Sequence, residues 1–308
     1  MKDFGPVVPI VTPCKPNGEI DHEGFAGVCN EMLDAGCTGI FIAGSTGRGP
    51  WFNPAELHDL CRFASDQING RATLVAGCTA SGLPRMLDNA RAMADAGAQL
   101  VVATVPGYFH YNQSEIETIY MKFADASPLP VIVYDIPEFT NVKFGNSMLV
   151  NLASHENVIG FKDSSADFER FKLLADALQP FENFYLMQGK ENYLADSIRI
   201  GASGFIVSLI HLEPRPFIHL YKAARAGDFE TANLIQAEIT KVIDLVKATI
   251  ERRPESSTLF HLLNHAVTQR GVCKNILLEH DGEIPEWVIE NTQLAIEICK
   301  ATPEFIQH

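Results

Sequence analysis

Eight short apolar runs, each followed by an amphipathic stretch, constrain this chain more than any other feature. The runs are Val7–Thr12, Gly39–Ala43, Thr73–Ala76, Leu100–Thr104, Val131–Tyr134, Val158–Lys162, Phe184–Gln188 and Gly204–Val207. Helical periodicity fills the intervals near Asp21–Ala35, Pro54–Gln67, Leu83–Ala96, Ser114–Ala126, Gly145–Ala153, Asp167–Leu178 and Glu191–Ile200. Asn53-Pro54 and Gln113-Ser114-Glu115 are helix-start signals, and Gly36, Gly97 and Gly201 stand where a helix must stop before the next strand. Strand and helix in repeated alternation predict a (β/α)8 TIM barrel. A doubly wound sheet shares that alternation. However, no G-x-G-x-x-G follows the first run and no G-x-x-x-x-G-K-[ST] occurs anywhere, which removes most support for nucleotide binding. From about Glu213 the strand-like runs cease and long helical patterns follow, broken at Gly227-Asp228, Pro254 and Gly282–Pro285. Residues 1–212 are therefore expected to form the barrel with the active site. Residues 213–308 are expected to form a helical region, including the last barrel helix, without a catalytic role of its own.

Composition narrows the function classes. A chain of 308 residues with 46% hydrophobic content can bury one barrel-sized core. No window approaches the ~20 apolar residues of a membrane span, and the N-terminus lacks a long apolar leader segment, so a cytoplasmic protein is expected. Lys and Arg total 24 against 38 Asp and Glu, a net charge of −14. That balance disfavours nucleic acid and anionic membranes as partners and requires a locally positive site for any anionic substrate. The seven cysteines are scattered with no C-x-x-C pair, which fits reduced core thiols. His261 and His265 have helical i, i+4 spacing, but the glutamate that follows the first histidine of a zincin is absent, so no metal is expected.

In a barrel, chemistry gathers where the strands end. The sixth run, Val158-Ile159-Gly160-Phe161-Lys162, closes on a lysine. Burial favours the neutral amine, so Lys162 is a candidate Schiff-base nucleophile; the alternative is a lysine capping the strand into solvent. Strand two leads into Gly44-Ser45-Thr46-Gly47-Arg48-Gly49, whose hydroxyls and N–H groups suit a small carboxylate. Strand five ends at Tyr134-Asp135-Ile136-Pro137, strand four runs into Tyr108-Phe109-His110-Tyr111, and strand eight contributes Ile206. A tyrosine on the strand before the lysine can relay protons to a carbinolamine, because a phenol both donates and accepts.

Gly44-Ser45-Thr46-Gly47, Tyr134 with Pro137, Gly160-Phe161-Lys162-Asp163 and Gly201-Ala202-Ser203-Gly204 occur in order on the expected strands. In this the chain resembles the dihydrodipicolinate synthase and N-acetylneuraminate lyase superfamily of class I, pyruvate-dependent aldolases, through almost its whole length. The resemblance implies that Lys162 forms an imine with a 2-oxo acid, with no other cofactor and no metal. It implies that Tyr134 handles protons and that Ser45 and Thr46 hold the carboxylate, with Gly47 and Ile206 beside them. Thr46 and Tyr108 join the catalytic set, Tyr108 across a dimer interface of a homotetramer built as a dimer of dimers.

Departures bear on the second substrate. Where the synthase branch has an arginine after its Tyr-x-x-Pro segment to hold a second carboxylate, this chain has Phe139, which cannot make that bidentate pair. Arg48 replaces the usual acidic residue after Gly47; it either holds a distal anion or pairs with a carboxylate at a subunit contact. His110 and Asp135 either bind distal hydroxyls or belong to the scaffold. The expected activity is cleavage of a 2-keto-3-deoxy sugar acid, or a related 4-hydroxy-2-oxo acid, to pyruvate and an aldehyde. The alternatives are 4-hydroxy-tetrahydrodipicolinate synthase, joining pyruvate to aspartate semialdehyde, a dehydratase using the same imine, and a non-catalytic 2-oxo-acid sensor.

Overall fold

A computed structural model describes residues 3–252, 256–273 and 285–302. Eight parallel strands close into one barrel in sequence order: β1 Gly5–Pro9, β2 Gly39–Ile42, β3 Thr73–Gly77, β4 Leu100–Ala103, β5 Val131–Asp135, β6 Val158–Asp163, β7 Tyr185–Gln188 and β8 Gly204–Ile206. The connecting helices are α1 His22–Ala35, α2 Pro54–Ile68, α3 Leu83–Asp95, α4 Gln113–Ala126, the single turn α5 Pro137–Thr140, α6 Asn146–Ala153, α7 Phe168–Ala177 and α8 Leu194–Arg199. Local chemistry fixes several of the boundaries. Asn53 and Glu56 form a reciprocal capping box at the start of α2, and Asn112 and Glu115 form another at α4. Helix α1 stops at Gly36, whose φ of 104° lies in the left-handed region.

Strand alternation sorts the side chains into two cores. Val7, Phe41, Val75, Val102, Tyr134, Met187 and Ile206 pack inside the barrel, whereas Val8, Ile40, Ile42, Val133, Phe161 and Leu186 face the helices. The ladder between β5 and β6 pairs Tyr134 with Lys162 and Asp135 with Asp163, after a register irregularity at Val131/Ile132. Strand β1 starts two residues before the apolar run because Gly5 already pairs with Gly204 of β8. The helix expected over Glu191–Ile200 is instead a 3-10 turn, Glu191–Tyr193, followed by α8.

The C-terminal part comprises α9 Pro214–Arg225, α10 Phe229–Arg252, α11 Ser256–Gln269 and α12 Glu286–Ala301. Helix α9 packs on β1, α1 and α8 and so completes the ring around the barrel, while α10 lies against α8, α9 and α12. Part-buried Arg270 ties the end of α11 to the barrel by donating to the carbonyl oxygens of His211 and Leu212 and by pairing with Glu31. No helix among the described residues is long and apolar enough to cross a membrane. All seven cysteines are buried, and among the described residues none is in a disulfide.

Candidate active site

A cavity of about 580 Å3 opens over the C-terminal ends of β2, β5, β6, β7 and β8. Lys162 stands in its wall with only 4% of its surface exposed. Its Nζ lies 4.0 Å from the centre of the Tyr134 ring and 5.6 Å from that of Phe41. The aromatic faces favour the ammonium, but exclusion of water disfavours it more. Burial lowers the Lys162 pKa from 10.5 to about 7, against the opposing pull of the Glu191 carboxylate. At neutral pH a large share of Lys162 therefore carries a free lone pair.

Tyr134 is 5% exposed, and its side chain hydrogen-bonds with those of Ser164 and Ser45. Burial raises its pKa to about 12, so at neutral pH it is a phenol, which can donate a proton as well as accept a hydrogen bond. Of the two hydroxyls on the loop after β2, that of Ser45 reaches Tyr134, and Thr46 lines the cavity beside it. The loop carrying both is held tightly. Ala43 turns at φ 55°, and its carbonyl oxygen would sit 2.0 and 2.1 Å from a Cβ added at Gly49 or Gly77, so both positions must be glycine for the turn to close.

Ile206 lines the cavity as expected, together with residues the sequence reading did not single out. Glu191 is the most consequential of these. Its Oε1 accepts from the backbone N–H groups of Ser208 and Leu209, each at 3.0 Å, and this ties the end of β7 to the end of β8. Lys190 reaches over the mouth to Glu138 at 3.1 Å. Ser164 shares the inward parity of Lys162, and Glu191 lies three residues past the end of β7. Both were therefore findable by extending the strand-end rule two or three residues past each apolar run. Asp244 and Lys247 of α10 and Phe260 of α11 also face the cavity, so the C-terminal helices supply its outer wall.

Three expected site residues lie away from the cavity, and a fourth, Tyr108, expected to act across a subunit contact, stands on the surface of this chain. Asp135 alternates outward from Tyr134 and is fully buried in an ion pair with Arg170 at 2.8 Å, away from the cavity. His110 is exposed on the loop after β4 and is not part of the cavity wall. Gly47 lies beneath its loop, where its carbonyl accepts the Thr12 hydroxyl at 2.8 Å. Tyr108 is 78% exposed and packs edge-on against Phe109, beside a recess bordered by Pro54, Leu57 and Arg85. Arg48 is 4% exposed and donates to the Thr12 carbonyl at 3.1 Å, a structural use of its charge.

A model of the dihydrodipicolinate synthetase family matches residues 4–279. The chain belongs to that family. It is a pyruvate-dependent class I lyase, a group that works through a lysine imine. Among its relatives is the 4-hydroxy-tetrahydrodipicolinate synthase of Mycolicibacterium paratuberculosis, 30% identical over 76% of this chain and 77% of the relative. The synthase of the same name from an Exiguobacterium species is 27% identical over 83% of this chain and 86% of its own length. The fold matches that of YagE, a prophage protein of the dihydrodipicolinic acid synthase family from E. coli K12 solved in complex with pyruvate. The TM-score is 0.87 at 20% identity, covering 96% of this chain and 98% of the other.

Proposed function

We propose that Lys162 is the imine-forming nucleophile of a pyruvate aldolase, with Tyr134 as the proton relay. The observation that carries this reading is the buried amine against the Tyr134 ring, with its pKa brought to about 7. The neutral amine attacks the ketone of a 2-oxo acid to give a carbinolamine. Tyr134, linked to Ser45 and Ser164, protonates the departing hydroxyl, which leaves as water. The protonated imine then acts as an electron sink. In the cleavage direction the C3–C4 bond breaks as the 4-hydroxyl loses its proton, yielding an aldehyde and the enamine of pyruvate. In the synthetic direction the enamine attacks an aldehyde. Ser45 and Thr46 are assigned to the pyruvate carboxylate.

Two readings of the aldehyde have separate support. The relatives' names favour the synthase, the condensation of pyruvate with aspartate semialdehyde, and by comparison this is the better supported reading. The cavity wall favours a hydroxylated, uncharged aldehyde and hence a 2-keto-3-deoxy sugar acid. Phe139 offers no guanidinium for a second carboxylate, and the carboxylates of Glu138, Glu191, Asp244 and Glu251 outnumber the two lysines other than Lys162 in the same wall, Lys247 and Lys190, of which Lys190 is already paired with Glu138. Pyruvate plus borohydride is expected to add one reduced pyruvyl group to the parent protein and none to Lys162→Ala, read by intact mass. The trapped class then goes into parallel assays with aspartate semialdehyde and with sugar-acid aldol adducts. Absence of an adduct on the parent overturns the aldolase reading.

A second copy of the chain is assigned to the exposed aromatic loop. Tyr108 and Phe109 are 78% and 64% exposed, and a recess of about 300 Å3 lined by Phe41, Trp51, Val102 and Phe139 adjoins Tyr134. In sedimentation experiments Tyr108→Ser with Phe109→Ser is expected to lower the oligomeric state and the turnover together. Unchanged assembly would remove this assignment.

A further inference from the structure

Directly behind the site, the outward faces of β5 and β6 carry a second set of charges. Asp135 and Asp163 are ladder partners one residue beyond Tyr134 and Lys162, and alternation turns their carboxylates into the layer between barrel and helices. They are 0% and 2% exposed, and Arg170 of α7, which lies between them, is 7% exposed. Arg170 Nη2 lies 2.8 Å from Asp135 Oδ2 and donates to the Phe144 carbonyl at 2.9 Å. Its Nη1 donates to both oxygens of Asp163 at 3.3 and 3.2 Å, and its Nε donates to Asn146 Oδ1 at 3.2 Å. The Phe144 and Ser165 N–H groups donate to Asp135 Oδ2 at 3.1 Å and to Asp163 Oδ1 at 2.7 Å. Every guanidinium nitrogen is used, whereas Asp135 Oδ1 is buried without a hydrogen-bond partner.

We propose that Arg170 is a positioning residue for the reaction, fixing the spacing and facing of Tyr134 and Lys162 by clamping together the aspartates that follow them. Stability alone does not account for this arrangement. Two buried carboxylates against one guanidinium leave an excess negative charge and an orphaned oxygen, and a well-packed apolar trio is commonly as stable or more so. Its placement suits a part in register, reinforcing the pairs from Ile132 with Gly160 to Asp135 with Asp163. The β5–β6 ladder slips at Val131/Ile132, so pairing at the base of the strands does not dictate how their far ends meet. A planar fork gripping both strands holds that register at their far ends. The guanidinium also lies 5.7 Å from the centre of the Phe161 ring, the residue just before Lys162, so the clamp holds the strand on both sides of the amine. A phenol and an amine that must exchange a proton through a carbinolamine tolerate little misplacement, about 10²-fold in rate for an ångström.

The inference rests on Lys162 forming the imine, so the test uses single-turnover borohydride trapping of pyruvate by the parent, Arg170→Lys and Asp135→Asn. Arg170→Lys keeps the charge but cannot grip both carboxylates. Asp135→Asn keeps the shape and weakens one arm, and it decides the matter should Arg170→Lys not fold. The trapping rate constant at saturating pyruvate is expected to fall at least ~10-fold in Arg170→Lys and severalfold in Asp135→Asn, with half-saturating pyruvate changed less than ~2-fold. A lower melting temperature with parental trapping rates in the folded variants means that the clamp is only structural, and it overturns the proposal while leaving the imine intact. No adduct on the parent overturns both.

Discussion

A Lys162→Met variant is expected to be catalytically dead and yet more stable than the parent. The thioether fills the space of the lysine stem without an ammonium to desolvate. The sign follows from linkage. Lys162 titrates near about 7 when folded and 10.5 otherwise, so between these values the unfolded chain holds the extra proton. Stability is therefore lost progressively as pH falls from about 10.5 to about 7, and below that the whole penalty is present. A displacement of this size corresponds to about 5 kcal/mol as an upper scale. Thermal melts at pH 6.5 are expected to place Lys162→Met several degrees above the parent, and the gap should close as pH rises toward 10. A gap that is constant with pH would mean that Lys162 carries its proton in the fold. The same titration governs chemistry: trapping of pyruvate should rise through pH 7 and level off above it, since the amine is then fully neutral.

Tyr134→Phe is expected to lower the rate of imine formation by about 10²- to 10⁴-fold, the usual worth of a positioned acid or base. The ring that faces Lys162 at 4.0 Å is retained, so the loss isolates the hydroxyl and its links to Ser45 and Ser164. Pyruvate affinity should change little, because its carboxylate is assigned to the loop after β2. Stopped-flow trapping across pH separates the two groups. Tyr134 titrates near 12, so the parent profile should show only the Lys162 limb below pH 10. A descending limb near pH 9 in the parent, absent from Tyr134→Phe, would assign Tyr134 an acidity that its burial does not support.

The barrel was legible because parallel strands covered on both faces read as continuous apolar runs, and eight of them were separated by helical periodicity. Lys162, Tyr134, Ser45, Thr46 and Ile206 were legible because strand ends are where a barrel exposes its interior. Asp135 was misplaced by treating a strand end as a patch, although a period of two sends neighbours to opposite faces, so Tyr134 inward meant Asp135 outward. Glu191 and the α10 residues were missed for different reasons. The first lies in a short turn with no periodic signature, and the others belong to a helix whose path over the barrel is set by packing against α8, α9 and α12. Nor does the sequence show which loops lean inward, and that is why His110 stands outside the cavity.

Helix α10 and the start of α11 roof a chamber whose floor was laid down much earlier in the chain. Translation therefore delivers the amine well before its enclosure. The groups against the amine, Tyr134 and Phe41, belong to the barrel itself, whereas the wall facing it across the cavity comes from helices encoded after residue 228. The same separation gives heredity two independent dials: substitutions on the roof can change which aldehyde is admitted, while the floor keeps its chemistry.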